Sequence, residues 1–305
     1  MLTTVQRIRM LEAPKSHFEL VIDSDTYNEI DDQYAISYAL RAKDKLTLKA
    51  LYAAPFFNAL SDNPKDGMEK SYREMQKLLK LAGESTPVYR GSDRYLPDEK
   101  TPVYSEAVQN LAERAMAYAP EAPLYVAAIG AITNVASALL INPAIADRMV
   151  VVWIGSNALE WPNNMEFNCM QDVAAARVVF ASGVPLVIIP GLGITSALTT
   201  TGPELEYWLR GKNALCDYLI DHTISAAEKY AKNKVWSRPI WDVGAISWLL
   251  SGEKNHNFMQ DKLIPTPIPE YDHYYAADST RPLCKYVYAF HRDAVMGDLF
   301  AHLSE

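Results

Sequence analysis

The sequence predicts an α/β protein: an open, mostly parallel sheet flanked by helices, followed by a largely helical C-terminal part. Two observations carry this. Short apolar runs at 18–23, 46–54, 123–129, 149–154 and 185–189 are bounded by turn residues, as buried strands are. Between them lie segments with apolar residues at helical spacing, and that alternation is the signature of a sheet covered on both faces.

The elements follow in order. Residues 18–23 (FELVID) read as a parallel strand ending in acid, and a helical pattern covers 31–42. The run at 46–54 is the second strand. Met68, Tyr72, Met75, Leu78 and Leu79 mark a helix over 67–82, with Gly83 suited to its C-terminal cap. The strand at 123–129 leads into a helix over 133–140 that stops before Pro143. A helix at 172–182 separates the strands at 149–154 and 185–189. Residues 202–250 read as mostly helical, opened by Thr201-Gly202-Pro203-Glu204 with proline in the first turn. The stretch 262–282, rich in proline and tyrosine, reads as loops and short strands, and the tail from Asp293 as a last helix. No internal repeat or low-complexity linker divides the chain, so residues 1–305 are expected to form one domain.

Composition narrows the function. Of 305 residues, 49% are hydrophobic and 22% charged, an ordinary globular balance. The formal net charge of −8 argues against nucleic acid or an anionic membrane as partner. Cys169, Cys216 and Cys284 are odd in number and widely spaced, which suggests a reduced, cytoplasmic protein and neither a disulfide scaffold nor a zinc site. No run of about 18 apolar residues occurs.

The informative segment is Asp23-Ser24-Asp25-Thr26-Tyr27-Asn28-Glu29-Ile30-Asp31-Asp32, with five carboxylates in ten residues. It directly follows a strand, where open α/β sheets place their ligands. Carboxylates this close repel one another unless some hold protons or a cation sits among them. Oxygen donors without His or Cys suit a hard ion, calcium or magnesium. The bland alternative is a solvated acidic loop leading into a helix. A strand followed by DxD also fits the phosphatase motif of the haloacid dehalogenase family, with Asp23 and Asp25 as nucleophile and acid, although Tyr27 stands where that motif has Thr or Val.

The segment resembles the first motif of the inosine–uridine preferring nucleoside hydrolase family, DxDPGxDDxxA(I/L). Asp23 and Asp25 match its DxD, and Asp31-Asp32-Gln33-Tyr34-Ala35-Ile36 its DDxxAI; the intervening Thr26-Tyr27-Asn28-Glu29-Ile30 is two residues longer. Ile129-Gly130-Ala131-Ile132-Thr133-Asn134 is similar to the family's TGPLTN turn, Glu166-Phe167-Asn168 to its EFN, and Trp241-Asp242 stands at its His-Asp. The resemblance implies a Ca²⁺-dependent hydrolase of the N-glycosidic bond of a ribonucleoside or similar N-riboside. It implies metal binding by Asp25, Asp32, Asp242 and the carbonyl of Ile129, with Asp25 also the catalytic base. Asp31, Glu166, Asn168 and Asp242 would hold the ribose. Asn58 would join them, with Asn164 or its neighbour Asn163. It also implies a homodimer or homotetramer.

Trp241 replaces the His that many members use as leaving-group acid. An indole cannot usefully protonate a base, but it can stack on one. Tyr27, Trp161, Phe56 and Phe57 are further candidate walls, although core packing is the ordinary fate of such residues. His273 and His291 are candidate acids, with surface or structural roles the commoner alternative. A purine nucleoside, a nicotinamide riboside-like compound or another N-riboside would fit. So would a non-catalytic binding protein that kept the metal site.

Overall fold

A computed structural model describes residues 2–252 and 255–305. Its centre is an eight-stranded sheet. The strands are β1 (Phe18–Ser24), β2 (Leu46–Ala53), β3 (Val88–Arg90), β4 (Leu124–Ala128), β5 (Met149–Ile154), β6 (Leu186–Ile189), β7 (Met259–Pro265) and β8 (Leu283–Phe290), in the order β3-β2-β1-β4-β5-β6-β8-β7. All neighbours are parallel except β8 and the edge strand β7. The order reverses between β1 and β4. Their connections leave to opposite sides there, which opens a crevice beyond the strand ends.

Each central strand is buried along nearly its whole length, because helices cover both faces. On one face the core joins Leu20 and Ile22 of β1 to α2 (Asp31–Arg41), through Tyr34 and Tyr38. It continues to Ile246 and Trp248 of the helix Val243–Ser251. On the other, Val21, Val126 and Val151 meet Leu111 of the helix Glu106–Arg114, Val135 of the helix Thr133–Ile141 and Val179 of the helix Val173–Ala181. Each such aliphatic side chain contributes about 1.5–3 kcal/mol by leaving water.

Local signals set the helix ends. In α3 (Pro64–Ala82), Asn63 caps the N-terminus by accepting from the Asp66 amide at 3.0 Å, and Pro64 fills the first turn. Gly83 ends it in the left-handed conformation, with φ of 73°.

The structure adds α1 (Thr4–Met10), the helix Glu106–Arg114 and β3, none of which was anticipated. The C-terminal part is largely helical, as expected, and it contributes strands as well. The helices there are Gly202–Leu209, Ala214–Ala231, Val243–Ser251 and Arg292–Leu303, but β7 and β8 come from it too, so it completes the central sheet. Residues 262–282 thus include most of β7 as well as the short antiparallel pair Ile268–Pro269 and Tyr275–Ala276. β8 escapes a hydrophobicity reading because Lys285 sits inside it, 5% exposed, with its amine 3.0 Å from Glu12 and 3.3 Å from Asp261. Among the described residues no helix is long and apolar enough to cross a membrane.

Candidate active site

The cleft opens at the reversal point of the sheet. It encloses about 680 Å³, part of it open to solvent. One wall is acidic and comes from the loop after β1 and the first turn of α2: Asp25, Asn28, Glu29, Asp31 and Asp32. Asp242, just before the helix Val243–Ser251, joins it. The other wall is largely apolar, with Ile154, Met165, Phe167, Leu192 and Trp241.

Asp31, Asp32 and Asp242 each offer a carboxylate oxygen, and the three oxygens lie within 4.8 Å of one another. All three residues are buried, at 2–3% exposure, and Asp25 beside them is at 1%. Two helix N-termini converge here, and their dipoles favour negative charge. An Asp in the position of Asp242 ordinarily caps its helix, yet its side chain makes no capping bond and is free to join the cluster. The Ser24 hydroxyl donates to Asp32 at 2.5 Å. Oδ2 of Asp25 and Oδ1 of Asp31 are buried without a hydrogen-bond partner, which is costly unless another ligand satisfies them.

The electrostatics follow from this crowding. Burial first, and then the neighbouring carboxylates, push Asp32 and Asp242 well above the usual carboxylate range. Burial likewise raises Asp25, against a hydrogen bond from its own amide that lowers it, with Asp31, Glu29 and Glu166 adding to the rise. Asp31 is raised to about 7 by burial and by Glu29. Glu29 itself stays exposed and accepts from Arg238 Nη2 at 2.7 Å. A multiply charged cation would relieve the same repulsion. All the donors are oxygens, so the residues fit a hard divalent ion.

The floor is built from the ends of β4 and β5. Asn168 donates its amide to two strand-end carbonyls, Ile154 at 2.9 Å and Ile129 at 3.3 Å. Glu166 caps the short helix Phe167–Gln171 and accepts from the amides of Ser156 (2.8 Å), Cys169 (2.9 Å) and Asn168 (3.0 Å). Burial raises its carboxyl to about 7, against those three bonds, which lower it. Glu166 as a whole is only partly buried; the side facing the cleft stays open while protein surrounds the rest. Gly130 follows Ile129 because nothing larger fits: a Cβ there would lie 2.8 Å from Asp25 Oδ1.

Of the residues singled out in the sequence, the structure brings Asp25, Asp31, Asp32, Ile129, Glu166, Asn168, Trp241 and Asp242 to one cleft. Asn58 and Asn164 are not on its wall. Asn58 donates to Asn28 Oδ1 at 2.5 Å, so Asn28 takes the lining position and Asn58 supports it. Asn164 is 2% exposed; its side chain accepts from the Asn157 amide at 2.8 Å and contacts Cys169 Sγ at 3.3 Å. Asn163 does not line the cleft either, and Asn157 does. Among the aromatic candidates only Trp241 lines it. Phe56 is core, while Tyr27, Phe57 and Trp161 are exposed elsewhere. His273 and His291 lie outside the lining, the latter next to the helix Arg292–Leu303. Asp23 is held by Asn134 at 2.7 Å and does not line the cleft, so the phosphatase reading loses its nucleophile.

Sequence reasoning missed Asn157, Met165 and Leu192, and missed Asn28 and Glu29 as lining groups. Asn28 and Glu29 sit within the acidic loop, and Asn157 follows β5. Their places beyond strand ends were the available signal.

Fold and cleft together define an α/β protein with an oxygen-donor cluster at the reversal point of its sheet. The chain belongs to the inosine-uridine preferring nucleoside hydrolase family, whose model matches residues 20–269. The pyrimidine-specific ribonucleoside hydrolase RihA of Salmonella enteritidis is 29% identical over 137 residues, 43% of each chain, so the match spans less than half of that relative. The RihA of Citrobacter koseri is 26% identical over 73% of this chain and 77% of its own. The purine-preferring ribonucleoside hydrolase from Gardnerella vaginalis has a solved structure with the same fold, at TM-score 0.75 and 20% identity, covering 94% of this chain and 98% of that one.

Proposed function

We propose that this chain hydrolyses the N-glycosidic bond of a ribonucleoside or similar N-riboside with Ca²⁺ as cofactor, releasing ribose and base. The observation that carries the reading is the buried acid cluster, with unpartnered oxygens on Asp25 and Asp31, at the ligand-binding end of the sheet. Asp25, Asp32, Asp242 and the Ile129 carbonyl would hold the ion. When bound, it lowers the pKa of water and orients the ribose hydroxyls. The Asp25 carboxylate takes a proton from the attacking water, as a base within reach of the reacting centre does. Asp31, Glu166, Asn168 and Asp242 hold the ribose hydroxyls, and the charge of the three carboxylates stabilises the cation-like sugar of the transition state. Asn58 positions Asn28, and Asn164 fixes the backbone at Asn157. Trp241 stacks on the base.

The chain works as one domain in the cytoplasm, and it assembles as a homodimer or homotetramer, as the family resemblance implies. The test is release of free ribose from a panel of nucleosides, with calcium and with chelator. Calcium-dependent release abolished by Asp25→Asn supports the reading. Tight nucleoside binding without release supports a binding protein in its place.

A further inference from the structure

Six carboxyl groups line the cleft: Asp25, Glu29, Asp31, Asp32, Glu166 and Asp242. Among its described lining residues none carries an imidazole, amine, guanidinium, thiol or phenol. Arg238 is turned onto Glu29 and lies outside the lining. Glu166 has both carboxyl oxygens occupied as acceptors of backbone amides. One divalent ion offsets only part of this negative charge.

These facts bear on the leaving group. When a C1–N bond breaks, its electron pair goes to the base. A neutral nucleobase then leaves as an anion unless a proton reaches it, and a wall of carboxylates opposes that anion. A ring whose glycosidic nitrogen is already quaternary behaves differently. It takes the electron pair, loses its positive charge and leaves as a neutral molecule. Its cationic ground state also suits this cleft twice over: the acidic wall attracts it, and the Trp241 face can receive a planar cation.

Building on the ribosyl hydrolase reading, we propose that the preferred substrate class is an N-ribosyl pyridinium, a permanently cationic aromatic ring on ribose C1. In the step, the oxygen of water bonds to C1 as the C1–N bond breaks. The bonding pair passes to the ring nitrogen. One water proton goes to the Asp25 carboxylate and then to solvent, so the products are ribose, a neutral pyridine and a proton. No acid acts on the leaving group, which accounts for an indole in the position of Trp241. Glu29 determines specificity, because it is the exposed acidic lining group on the loop after β1, and Arg238 sets how much of its charge reaches the cleft.

The experiment compares nicotinamide riboside with uridine and inosine on the calcium-loaded protein. The bond to a pyridinium is intrinsically weaker, so KM, not kcat alone, reads recognition. The expected result is a KM at least tenfold lower for nicotinamide riboside, rising with ionic strength. Glu29→Gln should raise the ratio of the nicotinamide riboside KM to the uridine KM about fivefold. Arg238→Gln should lower it, and this opposite sign separates charge from damage to the fold. Equal KM values for the three substrates, or variants that shift cationic and neutral substrates alike, would overturn the pyridinium assignment while leaving the hydrolase reading in place. Release of ribose from none of the three would overturn both.

Discussion

Replacing Gly130 by alanine probes the acid cluster with a single methyl group. Its Cβ would lie 2.8 Å from Asp25 Oδ1, 3.0 Å from Asp25 Cγ and 3.0 Å from the Asp25 amide nitrogen. Ordinary carbon contacts begin at 3.4 Å. The carboxylate must therefore retreat by roughly 0.4–0.6 Å from the place it holds in the cleft wall. A displacement of about 1 Å from reacting geometry costs on the order of 100-fold. About half that displacement gives an expected loss of kcat/KM of roughly tenfold, about 1.4 kcal/mol of transition-state stabilisation. The assay is steady-state ribose release at saturating calcium, paired with a thermal melt of the same sample. A variant that melts with the wild type and keeps turnover within threefold would refute the claim that Asp25 is held at the reacting atoms.

Other expectations test the frame around the cluster. Asn134→Ala removes a buried amide that bonds Asp23 at 2.7 Å and accepts from the Ser92 amide at 2.7 Å and hydroxyl at 2.8 Å. Leaving those groups unpaired should cost about 3–5 kcal/mol in urea unfolding, and a loss under 1 kcal/mol would contradict it. Calcium at a hundred times its Kd should stabilise the fold by about 2.7 kcal/mol, read as a melting rise of roughly 5 °C over the chelated protein; identical melts would exclude a native-state ion. His302 is raised to about 9, chiefly by its bond to Asp298. Its folded value exceeds the unfolded one near 6.5, so its contribution is complete below about pH 6.5 and fades as the pH climbs through 9. His302→Gln should thus lower the urea midpoint at pH 6 and match the wild type at pH 10. Trp241→Ala should weaken turnover about tenfold, since stacking contributes roughly 1–3 kcal/mol; equal turnover would show that the indole is only packing.

The order of sheet and helices was legible because β1, β4, β5 and β6 are nearly unbroken apolar runs. The acid cluster was legible because Asp25, Asp31 and Asp32 fall in one short loop, and a shared motif pointed to Asp242. What failed was instructive. β3 spans only Val88–Arg90 and is half-buried, too brief for any period to show. β8 hides behind a paired lysine. Asn58 and Asn164 were chosen because they match positions the family resemblance implies, but side-chain direction decides which amide faces the cleft. Type and spacing do not encode that direction, and so Asn28 and Asn157 hold the wall.

The pairing of Val187 with Lys285 has a consequence for how the molecule is made. Translation runs from the amino end, and the first six strands leave the ribosome long before β8 does. Until β8 arrives, β6 presents a bare row of amides and carbonyls, an edge that invites pairing with another chain. The acid cluster is also incomplete during that interval, since Asp242 emerges late. A nascent chain thus passes through a stage in which both its sticking edge and its ion seat are unfinished, and the last two strands close the risk.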